Sequence, residues 1–143
     1  MTNAAALRGI ATISFYADDV SVAAAWYREL LGIEPYFVRP EDGPPAYVEF
    51  RIGDYQHELG IIDRKYAPQG AASGPGGTVV FWHVDDIQAA LDRVKGMGAT
   101  EYEPLITREA GFITASVVDP FGNILGLMYN PHYLGILAEM KKG

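Results

Sequence analysis

The run I-S-F-Y-A-D-D-V, Ile13 to Val20, returns later in the chain as V-F-W-H-V-D-D-I, Val80 to Ile87. Each copy is a strand-like apolar run closed by Asp-Asp and a branched apolar residue. Each runs on into a helical pattern that stops near glycine: S-V-A-A-A-W-Y-R-E-L-L-G, Ser21 to Gly32, and Q-A-A-L-D-R-V-K-G-M-G, Gln88 to Gly98. The aspartates suit N-caps, where a carboxylate accepts orphan backbone N–H groups at the positive end of the helix dipole. Gly32 and Gly98 suit the left-handed residue that ends a helix. In the first helix Val22, Ala25, Trp26, Glu29 and Leu30 fall at helical spacing; in the second Ala90, Leu91, Val94 and Met97 do so. The fold is read as two copies of one unit.

Strand candidates follow each helix. In the first half they are Glu34 to Val38, Ala46 to Ile52 and Glu58 to Ile62, broken by R-P-E-D-G-P-P and Gly53-Asp54. In the second half they are Thr100 to Ile106, Phe112 to Val118 and Ile124 to Tyr129, broken by T-R-E-A-G and D-P-F-G-N. Each half therefore reads βαβββ. The expected class is α+β: two tandem βαβββ modules forming a curved, partly closed mixed sheet around a cavity, with helices outside. One domain over residues 1–143 is expected, with module one at about 7–63, a linker at 64–77, module two at about 78–130 and a tail at 131–143 that suits a short helix. Gly126 stands out in the last strand, because glycine packs nothing there; it implies a bulge or a close approach by something else.

Composition narrows the function classes. The chain has 143 residues, 49% of them apolar, a formal charge of -7 and no cysteine. The absence of cysteine excludes disulfides, thiolate catalysis and Cys-based zinc sites. The acidic balance argues against nucleic-acid binding, which needs a basic face. No apolar run approaches the roughly 18 residues of a membrane span, and no leader pattern opens the chain. A cytoplasmic protein is expected. Neither a G-x-S-x-G elbow nor a P-loop is present.

The tandem βαβββ units, the D-x-x-x-A-x-x-[WY]-Y-x-x-x-L-G run of the first half and the D-P-F-G-N of the second resemble the vicinal oxygen chelate superfamily. That superfamily holds glyoxalase I, extradiol dioxygenases, fosfomycin-resistance transferases and bleomycin-resistance binding proteins. The resemblance implies a pocket, often in a homodimer. It also implies, in metal-using members, His or Glu ligands from four strands. The matching positions here are Thr12, Glu58, Val79 and Gly126. Only Glu58 is a strong donor, so no metal and no other cofactor is expected.

If those positions face a cavity, strand alternation brings others with them. The expected ligand-binding residues are Thr12, Ser14, Tyr16, Glu58, Val79, Phe81, His83, Gly126 and Met128, with Gly126 leaving space beside the pocket floor. The mixture suits a small organic ligand with a few polar groups. Catalytic candidates are Glu58 and His83. His83 suits a general base, with local hydrogen bonding as filler the alternative. Glu58 suits a base or orienting group, with a solvated carboxylate at a strand end the alternative. His57 should point to the opposite face, and His132 to the surface. Asp119 reads as a turn residue, with Pro120 and Gly122 beside it. Arg64 to Tyr66 reads as an anion contact or as an exposed charge pair. The expected function is metal-free binding of a small organic ligand. The alternative is a lyase or dioxygenase-type enzyme with an atypical metal site or metal-free acid–base catalysis.

Overall fold

A computed structural model of the chain describes residues 6–142. It contains two four-stranded mixed sheets and three helices. In the first half, β1 (Thr12–Ala17) leads into α1 (Val20–Leu31), and β2 (Phe37–Arg39), β3 (Tyr47–Ile52) and β4 (His57–Asp63) follow. In the second half, β5 (Phe81–His83) leads into α2 (Ile87–Gly96), and β6 (Thr100–Thr107), β7 (Ile113–Val118) and β8 (Ile124–Tyr129) follow. A last helix, α3, covers Pro131–Lys142. The strand orders are β1-β4-β3-β2 and β5-β8-β7-β6, so both sheets repeat one topology and neither closes on itself. The chain divides into two compact units, one ending at Ala67 and the other beginning at Pro68. Among the described residues no helix is long and apolar enough to cross a membrane.

The repeated Asp-Asp does what the sequence implies. Asp19 accepts from the Val22 N–H at 3.2 Å, and Asp86 from the Ala89 N–H at 3.0 Å. Gly32 ends α1 with φ +69°. In each unit the first strand pairs in parallel with the last, and the crossover helix covers one face of the sheet. Phe15 on β1 is buried with its ring 5.8 Å from that of Tyr27 on α1.

Three expectations need correction. The buried stripe of α1 is Val20, Ala23, Ala24 and Tyr27, whereas Val22 is 55% exposed. An alanine-rich helix offers two nearly equal apolar stripes, and the one beneath Phe15 wins. β2 begins only at Phe37, and the Tyr36 N–H already bonds the Glu49 carbonyl. In the second unit the first strand is shorter than expected: residues 78–80 precede it, and β5 holds only Phe81, Trp82 and His83.

The D-P-F-G-N turn is a closed hydrogen-bonded unit. Asp119 is 3% exposed and accepts from the N–H groups of Phe121 and Asn123 at 2.9 and 2.8 Å. Gly122 takes φ +96°. Asp119 is therefore structural, as read. Arg64 pairs with Asp18 at 2.9 Å, which gives the Arg64–Tyr66 turn its charge pair.

Candidate functional site

Residues paired across a sheet share a face. On the face of the first sheet opposite α1, register aligns Thr12 with Glu58, Ser14 with Gly60 and Tyr16 with Ile62. It also aligns Glu58 with Arg51, Gly60 with Glu49, and Ile62 with Tyr47. The expected Thr12, Ser14, Tyr16 and Glu58 thus do lie on one face. Val48, Phe50 and Ile52 alternate onto the buried side, which leaves Tyr47, Glu49 and Arg51 beside Glu58.

These side chains form one network. The Thr12 hydroxyl donates to Glu58 Oε1 at 2.7 Å. Arg51 Nη1 lies 3.9 Å from Glu58 Oε2. The Tyr47 hydroxyl donates to Glu49 Oε1. Burial and then the Glu58 charge push the Glu49 carboxyl above its usual range, with Arg51 opposing. The same two causes raise the Tyr47 hydroxyl. A second negative charge beside Glu58 is disfavoured, so Glu49 holds its proton more tightly than a free carboxyl does. Gly60 makes room for this: a Cβ there would stand 2.7 Å from the Tyr47 hydroxyl. His57 is exposed at the start of β4, its ring 5.9 Å from Tyr55, apart from this network.

In the second sheet the face opposite α2 carries Phe81, His83, Gly126, Met128, Thr114 and Ser116 in register. Gly126 is the site of a close approach. A Cβ there would meet the Phe81 ring and the Val80 carbonyl, each at 2.8 Å. The space expected beside Gly126 is filled from within its own unit. Val79 lies outside the strand, and Phe81 is the residue opposite Gly126. The expected one-to-one match of Val79 with a strand position is corrected accordingly.

His83 has both ring nitrogens engaged. Its Nδ1 accepts from the Asn130 N–H at 3.1 Å, so its Nε2 carries the hydrogen toward Asp85 Oδ1, also at 3.1 Å. The ring stacks on Tyr133 with centroids 4.9 Å apart. These contacts tie β5 to the start of α3. His132 is exposed on that helix.

An open groove of about 750 Å3 lies where the β6–β7 hairpin turns, lined by Thr107, Arg108, Glu109, Ala110, Phe112, Thr114 and Met128. Met128 alone of the expected residues belongs to it. Arg108 and Phe112 escaped the sequence reading because T-R-E-A-G announces the turn alone, whereas its place beside Met128 is set by the pairing of β7 with β8.

The donor set for a metal is poor. Of Thr12, Glu58, Val79 and Gly126, one is a carboxylate, and that carboxylate is already bonded to Thr12. Among the described residues no three His, Asp or Glu side chains gather where they could hold an ion. Ligation by so few donors does not suit a divalent cation.

Residues 9–127 match the family model described as "Glyoxalase/Bleomycin resistance protein/Dioxygenase superfamily". Among curated proteins none matches. Among solved structures, a glyoxalase-related enzyme from Fulvimarina pelagi is similar at 20% identity and TM-score 0.68, over 87% of this chain and 90% of that one. Lactoylglutathione lyase from Agrobacterium tumefaciens is similar at 21% identity and TM-score 0.64, over 87% and 96%. TioX from Micromonospora sp. ML1 is similar at 18% identity and TM-score 0.63, over 85% and 98%. At these identities the likeness is one of fold.

Proposed function

Given that the chain belongs to the glyoxalase/bleomycin resistance protein/dioxygenase superfamily, we propose that it binds a small organic ligand without a catalytic metal. The observation that carries this reading is the hairpin groove, where Phe112 and Met128 offer apolar surface beside Thr107, Arg108 and Thr114. A mixed lining of this kind suits a ligand with an apolar body and a few polar groups. The poor donor set at Thr12, Glu58, Val79 and Gly126 supports the metal-free part.

The test is a titration of the purified protein with the uncharged fluorophore N-phenyl-1-naphthylamine, before and after dialysis against EDTA. Saturable binding that survives chelation is expected. Tightly bound stoichiometric metal whose removal abolishes binding overturns the reading.

One observation favours a second reading, metal-free acid–base catalysis. Glu49, whose carboxyl is pushed above its ordinary value by burial and then by the Glu58 charge, stands beside Glu58, and two carboxyl groups so placed can exchange a proton with a ligand lying over the first sheet. On this reading Glu49→Gln and Glu58→Gln each abolish turnover of a carbon acid. Full turnover in both variants removes it.

A further inference from the structure

We propose that the hairpin groove takes an apolar monoanion, with Arg108 holding the acidic group and Phe112 and Met128 covering the apolar body. This rests on the ligand-binding reading above and names the ligand class. Arg28, Arg39, Arg51 and Arg64 each have a carboxylate within 4 Å: Glu34, Glu41, Glu58 and Asp18. Arg108 lines the groove and has no such partner among the described residues, although Glu109 follows it in the chain. Its Nε donates to the Thr114 hydroxyl at 3.1 Å. That bond fixes the guanidinium plane and leaves the two terminal nitrogens as a fork. A planar fork of N–H donors matches a carboxylate, phosphate or sulfonate. The backbone holds the same residue from behind, since the Arg108 N–H donates to the Phe112 carbonyl at 2.7 Å.

The charge of the ligand follows from the surroundings. Glu109 also lines the groove, and the whole chain carries a formal charge of -7. Both disfavour a polyanion such as a nucleotide triphosphate, because one guanidinium cannot offset several charges in a negative field. One acidic group on an apolar frame fits what is present. The apolar part has Phe112 and Met128 to lie against, and thioether sulfur is an adaptable neighbour for aromatic rings.

The experiment compares two related dyes on the intact chain: 8-anilinonaphthalene-1-sulfonate, a monoanion, and N-phenyl-1-naphthylamine, which lacks the charge. Wild type is expected to bind both, and Arg108→Gln to weaken the sulfonate by about tenfold and the neutral dye by much less. Arg108→Lys keeps the charge and should lose less than Arg108→Gln. Phe112→Ala should weaken both dyes, which places them in the groove. Retained binding of the neutral dye by Arg108→Gln also shows that this variant is folded. If Arg108→Gln leaves both affinities unchanged, or lowers both equally, the anion inference is overturned while ligand binding stands. If wild type binds neither dye, the ligand-binding reading itself fails.

Discussion

Gly60 and Gly126 sit at matching places in their sheets, and both are kept bare by an aromatic neighbour. At Gly60 the obstacle is the tip of Tyr47, which can swing aside. At Gly126 it is the Phe81 ring and also the backbone carbonyl of Val80, which accepts the Gly126 N–H at 3.1 Å. Backbone yields less readily than a side-chain end. Gly126→Ala should therefore cost about 1–3 kcal/mol, the usual range for overpacking, and Gly60→Ala less. Urea midpoints measure both; equal losses would contradict the account. Glu49 gives a second prediction. Its carboxyl is raised from an ordinary value of 4.5. Between that value and the folded one, the native state holds a proton that the unfolded chain has released. Stability from this source is fully present below the unfolded value and falls as pH rises through the folded one. Glu49→Gln should remove that decline, so its advantage over wild type grows with pH across the window. Parallel pH dependences of the two proteins, from urea midpoints at about pH 4 to 8, would refute the assignment.

Among the elements, α3 depends on others for its place, because none of its residues is buried. Asn130 caps it, accepting from the Tyr133 N–H at 2.9 Å, and His83 in turn accepts from the Asn130 N–H. His83→Phe would keep an aromatic ring against Tyr133 but leave that N–H without its acceptor. Amide exchange across Pro131–Lys142 should accelerate while β8 stays protected, as expected where a local opening costs less than global unfolding. Unchanged exchange in α3 would show that His83 is not its tether. The elements also differ in how openly the sequence announces them. Both helix starts were legible because Asp19 and Asp86 cap through side chains only three residues away. β8 was legible from Ile124 to Tyr129 because the turn before it is closed by Asp119 locally. β2 was not, since its extent depends on pairing with Glu49 and Tyr47 from a distant segment. The polar stripe Tyr47, Glu49 and Arg51 had a signal, a period of two against Val48, Phe50 and Ile52, but its meaning needs Glu58 on the next strand.

For the whole chain, the tandem repeat was legible and the site was legible in part. Residues 67–78 join the two units without helix or strand, and residues 68–78 are exposed throughout. A protease of broad specificity should cut there first and leave two fragments, since exposed segments outside helix and sheet are the usual sites of nicking. First cleavage inside β3 or β7 would contradict this. Gly126 also constrains the history of the molecule. Any larger residue at 126 needs room for its side chain, and here the Phe81 ring and the Val80 carbonyl occupy that room. A change at 126 is unfavourable until the residue at 81 shrinks and the backbone at 80 withdraws, so the substitutions must come in that order. Positions 81 and 126 are therefore coupled: what can stand at one is set by what stands at the other.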